Sequence, residues 1–194
     1  MLPTFLNSWR RSIATLAVSG VALGFGFSAW RVNAWEALQP LFAWMETSWL
    51  GAIGKTWGGV FAVVEAMHLL AMALLGGALL VSDGRLLGWL LRDVPVTLLL
   101  CRAHRVFVIG LVAALATGMF MACAVATKIY FLPVFWIKML ALAVGVLFTF
   151  AIKRPLLADG LEELNPWVVR AVAVASLTAW FTVAASGRWI GFSG

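Results

Sequence analysis

The stretch FAVVEAMHLL, residues 61–70, places Glu65 and His68 one helical turn apart within a long apolar run. The chain has only two histidines and eight acidic residues among 194. A third ionisable group, Lys138 in FWIKML, interrupts another apolar run. An imidazole can ligate a metal or move a proton, a carboxylate can carry a proton, and an ammonium can pair with an anion. A charged side chain at the centre of a bilayer costs at least about 3 kcal/mol, so all three groups should face the interior of a helix bundle.

Composition supplies the reason to place them in a bilayer. Hydrophobic residues make up 63% of the chain and charged residues 11%, far from the balance of soluble domains. Several runs of about 20 residues carry no charge, which is enough to cross the hydrocarbon core as helix. The runs do not alternate apolar and polar residues, as a membrane β-barrel would. The expected fold is an all-α integral membrane protein: a four-helix core bundle, one extra N-terminal transmembrane helix and an interfacial amphipathic helix. The net charge of +6 falls mostly at span ends, where it acts as a topology signal towards membrane lipid. No basic run with interleaved aromatics faces water, so nucleic acid is not an expected partner. No nucleophile–base arrangement or phosphate-binding glycine loop points to a hydrolase or a kinase.

Five spans organise the chain. The first covers 12–29 after Arg10 and Arg11, as part of an anchor over 1–33. An alternative is a cleaved signal peptide, since VNA at 32–34 suits a small-residue cleavage site. Gly20 and Gly24 form a G-x-x-x-G that would allow close helix packing. An outer amphipathic segment over 34–56 has apolar residues at 38, 41, 42, 45 and 49, one face of a helix lying on the membrane surface. A docking surface for a partner is the rival reading. The core, 57–194, holds a second span from Trp57 to about Ser82 and a third ending at Ala126. The third begins at about Val106, or as far back as Pro95. A fourth runs from Pro133 to before Lys153. The fifth is capped by Asn165, with Pro166 at its first helical position, and ends near Gly187.

Lysine and arginine counts give the orientation. With the N-terminus inside, nine face the cytoplasm (Arg10, Arg11, Arg85, Arg92, Arg102, Arg105, Lys153, Arg154, Arg170), against Arg31, Lys55, Lys128, Lys138 and Arg188 outside. This predicts a multi-pass protein of the bacterial inner membrane, N-terminus cytoplasmic and C-terminus periplasmic. Nine of the tryptophans fall near span ends, as an aromatic belt would. Cys101 and Cys123 form no metal motif. On one helix they would lie about 33 Å apart, beyond disulfide reach.

Depth then sorts the chemical groups. His68 comes out within about 2 Å of the midplane, with Glu65 and Lys138 both about 7 Å outward. Two opposite charges on separate helices therefore come out at one depth with a histidine one turn below, and a Glu65–Lys138 pair would neutralise both charges. Each also has an ordinary reading. Lys138 can snorkel to headgroups, Glu65 can be neutral, and His68 can be a core histidine bonded to Thr117 or Thr149. The second histidine, His104 in CRAHRVF, falls some 18 Å inward of the middle, about 20 Å from His68. Two axial histidines on one haem need similar depth on facing helices. That pairing works only if the third span starts near Pro95 and buries Arg102 and Arg105. Otherwise His104 is a border residue facing anionic headgroups.

VVEAMHLLAMALLGGALLVSDGRLLG (63–88), GLVAALATGMFM (110–121), ATKIYFLPVFWIKM (126–139) and SGRWIGF (186–192) together resemble an uncharacterised family of small bacterial inner-membrane proteins. The resemblance covers roughly 41–194. More distantly, a histidine on the first core helix with a later intramembrane lysine is similar to the membrane-bound protoporphyrinogen oxidase family. That resemblance implies haem b, with His68 matching the ligating histidine and Lys138 the lysine. The copper-resistance D type of permease is also similar and implies copper transport. The chain departs from both, lacking further histidines for a second axial ligand and the methionine-rich outer motif of the copper group.

These readings lead to one expected function and two alternatives. The expected function is a membrane b-type haem protein in electron transfer, with quinone or a redox partner subunit. In it His68 ligates the metal, Glu65 carries a proton and Lys138 pairs with a haem propionate. The second ligand stays open among Met72, Met119, His104 or none. One alternative is a small-solute, proton or copper transporter working at Glu65, His68 and Lys138, although the chain shows no internal repeat. The other is a non-catalytic anchor or assembly subunit whose polar cluster fixes helix register.

Overall fold

The computed structural model describes residues 30–158 and 164–193, with Gly20 and Gly24 as isolated positions. The expected first span at 12–29, its G-x-x-x-G packing and any cleavage after residue 34 lie outside the described residues or rest on them. Among the described residues every regular element is helical. The order is α1 (Trp30–Thr47), α2 (Trp49–Thr56), α3 (Gly58–Leu86), α4 (Val96–Ala124), α5 (Ala126–Tyr130), α6 (Pro133–Leu147), a π-helical turn (Phe148–Lys153), α7 (Arg154–Ala158) and α8 (Pro166–Ile190).

Four stretches are long and apolar enough to cross a membrane: Gly58–Leu86, Val96–Ala124, Pro133–Leu157 and Pro166–Ile190. The chain is a multi-pass membrane protein with these four candidate spans. The local signals lie where the sequence puts them. Asn165 caps α8 by accepting from the Trp167 amide at 2.9 Å, with Pro166 at the first position. Pro133 likewise opens α6. The third span takes its longer form, starting at Val96 directly after Pro95.

Packing pairs α3 with α4 and α6 with α8, and α3 also meets α8. Gly110 makes the first pairing possible, since a Cβ there would lie 3.0 Å from the Leu75 amide. A central core of Leu75, Leu79, Phe107, Leu111, Trp180 and Val183 ties the two pairs together. One end of the bundle is capped by α1, α2 and α5. There Phe42 and Tyr130 are buried among Trp35, Phe135 and Trp136, the Tyr130 hydroxyl donates to the Trp35 carbonyl, and the Trp136 indole donates to Tyr130 O at 2.9 Å. The segment expected to lie on the membrane surface is thus two helices broken at Ser48. Its Phe42 is buried against α5, while Leu41, Trp44 and Trp49 stay exposed. At the opposite end the Arg85 guanidinium donates to the carbonyls of Arg92 and Val94 at 3.0 and 3.1 Å and closes the loop between α3 and α4.

Candidate functional site

His68 sits on α3, half-buried, four residues on the capped side of the helix midpoint at Met72, or about 6 Å from it. Its Nδ1 lies 2.8 Å from Thr117 Oγ1 on α4. Thr117 donates its one proton to the Ala113 carbonyl at 2.7 Å. Its oxygen is therefore an acceptor towards the ring, and the network assigns the proton to His68 Nδ1. The lone pair is left on Nε2. A metal-binding histidine has this form, with one nitrogen held by a polar neighbour and the other free. Gly118 makes the approach possible, because a Cβ there would meet His68 Cε1 at 3.2 Å.

Lys138 on α6 is half-buried and lies along α8, where a Cβ at Gly187 would meet its Nζ at 3.4 Å. Glu65 and Lys138 both stand within electrostatic reach of His68. They do not pair with each other. The ion pairs among the described residues are Lys55–Glu46 and Lys153–Asp83, and Glu65 lies on an exposed face of α3. The expected Glu65–Lys138 bridge is therefore replaced by two separate groups. A groove of about 610 Å³ lined by Thr56, Trp57, Gly59, Val60, Val63 and Val64 ends one turn short of His68 on the same helix.

His104 does not join this site. Gly118, which touches His68, and His104 share α4 at fourteen residues' distance, or about 21 Å. The Pro95 start of the helix, which would have favoured a bis-histidine pairing, leaves Arg102 and Arg105 exposed instead of buried. His104 packs with Phe107 and Phe150, their ring centroids at 6.2 and 5.6 Å. It is not a second ligand for a metal held by His68. Thr149, the other expected partner of His68, instead accepts from the Trp180 indole at 3.2 Å.

The sequence reading missed a second polar cluster, at the end opposite the cap. Asp83, fully buried on α3, forms an ion pair with Lys153. Lys153 Nζ also donates to Ser176 Oγ on α8 at 3.2 Å and Ser82 Oγ on α3 at 3.4 Å. By sequence Lys153 reads as a topology charge beyond the fourth span. The available signal was Pro155. A proline clashes with the carbonyl four residues back and cannot donate to it, and the helix widens into a π turn over Phe148–Lys153 just before it. This turn carries Lys153 into the bundle.

Among the described residues no group of three or more His, Cys, Asp or Glu side chains is arranged to hold a metal ion. No curated protein and no solved structure matches the chain. One family model does, over residues 41–193, which cover α2 to α8 and the last two turns of α1. By that match the chain belongs to the family of unknown function DUF6644.

Proposed function

We propose that the chain is a membrane b-type haem protein that passes electrons, with a quinone or a redox partner subunit as its counterpart. The observation that carries this reading is the fixed His68 ring. Nδ1 is held by Thr117, and Nε2 keeps its lone pair at membrane depth. A bare metal ion would need further protein ligands beside His68, and among the described residues no group of three or more His, Cys, Asp or Glu side chains gathers there. Haem brings four nitrogens and a redox-active iron of its own, so one imidazole is sufficient protein ligation. The residues present suit that group: His68 would ligate its iron, Thr117 would fix the ring's tautomer, and Lys138 would pair with a propionate. Glu65, one helical turn from His68 on an exposed face of α3, is the proton carrier in this reading.

The proposed setting is the bacterial inner membrane with the N-terminus cytoplasmic and the C-terminus periplasmic, following the lysine and arginine bias. A carrier working at Glu65, His68 and Lys138 has less support, because Glu65 faces away from the bundle interior. Haem content of His68→Ala against the unsubstituted protein tests the ligand assignment. Pigment should be lost while helix content stays the same. Retention of haem at unchanged stoichiometry would make His68 a core histidine.

A further inference from the structure

We propose that Asp83 and Lys153 form a proton-binding site, at the end of the bundle that carries the α3–α4 loop. This goes beyond the haem reading and does not depend on it.

Asp83 is completely enclosed, and the Lys153 side chain is 9% exposed. One carboxylate oxygen faces Lys153, while Oδ2 has no protein donor among the described residues. A buried ion pair that serves packing alone needs its remaining lone pairs satisfied, since the cost of desolvating both ions is otherwise not recovered. Here, among the described residues, only Lys153 and the neighbouring Ser176 hydroxyl address the carboxylate, which leaves lone pairs on it unmet, whereas the ammonium is fully partnered. Ser82 Oγ gives its own proton to the Leu79 carbonyl at 3.1 Å, so its lone pairs are free for Lys153. Ser176 Oγ is a second acceptor for the same ammonium. Lys153 therefore keeps two neutral oxygen partners when the carboxylate loses its charge. The site is built to hold the ammonium in both protonation states of Asp83.

The step balances simply. A hydronium ion on the adjacent aqueous side gives its proton to Asp83 Oδ2, forming an O–H bond and leaving water, and release is the reverse. The charged and titratable groups around the pair are few. Lys153 comes from the π turn and Arg154 from α7. His104 on α4 lies within electrostatic reach of both. Arg85 on α3 is engaged with the loop carbonyls. Asp83 lies in the last turn of α3, three residues before Leu86, so the path to water is short.

Isotope-edited infrared spectroscopy on the full purified chain tests the site, with carbon-13 in the aspartate carboxyl. The chain has three aspartates, Asp83, Asp93 and Asp159. As pH falls, isotope-sensitive stretches of protonated carboxyls should appear reversibly while the helix amide bands hold, and Asp83→Asn should abolish one of them. No Asp83-dependent band at any pH that preserves the helices would overturn the proposal and leave a purely structural pair. Should Asp83→Asn fail to fold, Lys153→Gln serves instead. It should move the proton concentration at which the band appears by about tenfold or more, and an unmoved band would also overturn the proposal.

Discussion

His68 and Thr117, on neighbouring antiparallel helices, are joined by a 2.8 Å contact between Nδ1 and Oγ1 in which the hydroxyl's own proton is already committed to Ala113. The tautomer of His68 thus follows from the α4 backbone. Removing that acceptor while keeping the side-chain shape isolates its contribution. Thr117→Val should leave the helices folded and weaken haem retention about tenfold or more, as loss of a partner behind a ligating histidine does. Thr117→Ser should restore it. Haem titration of the three proteins is the measurement, and equal affinity in all of them would remove Thr117 from the site.

Lys138 contributes charge near His68 and forms no ion pair among the described residues. Lys138→Ala should therefore retain haem and lower its midpoint potential, because a nearby cation favours the more negative, reduced state. Redox titration checks this. If Lys138 merely snorkels to the surface, the potential stays where it was.

The buried pair at the other end behaves differently. Lys153→Met leaves Asp83 enclosed without its counter-charge, which should cost about 3–5 kcal/mol or force the carboxyl to protonate. Adding Asp83→Leu should recover much of that loss. Denaturation of the single and double variants in one detergent gives the coupling, and additive losses would contradict a buried pair.

At the capped end the pH dependence has a definite sign. Lys55 beside Glu46, together with the Thr127 amide that donates to its carboxylate at 2.6 Å, holds the Glu46 pKa down from 4.5 to about 2. A lowered folded-state value means that the contribution is complete above 4.5 and fades as pH falls towards 2. Glu46 clamps α1 to α2 and to α5, so the protection of the Thr127 amide relative to its intrinsic exchange rate should fall over that window. In Glu46→Gln it should already be low at neutral pH. Protection insensitive to both changes would show that the aromatic cluster alone holds the cap.

The four core helices were legible because length, hydropathy and terminal signals agree. Pro133, Asn165 and Pro166 each impose a boundary by local backbone chemistry. Where charge interrupts an apolar run the signal fails. Arg102 and Arg105 mark the end of the hydrocarbon-compatible segment, yet a helix continues through them to Pro95 because lipid depth and helix length are separate quantities. The neighbourhood of His68 was partly legible. Thr117 was one of two named partners, but which hydroxyl faces the ring depends on the α3–α4 register set by Gly110 and Gly118. The Asp83–Lys153 pair was not read at all. Lys153 looks like a terminal charge until the π turn before Pro155 carries it inward, and hydropathy does not register a local change of helical pitch.

The most direct test of the central claim is the absorption spectrum of the detergent-purified protein after expression with ample haem, oxidised and then dithionite-reduced. The account predicts a Soret band that sharpens on reduction, with an α band of the b type. A folded, colourless protein would contradict it, and His68 would then be a core histidine held by Thr117.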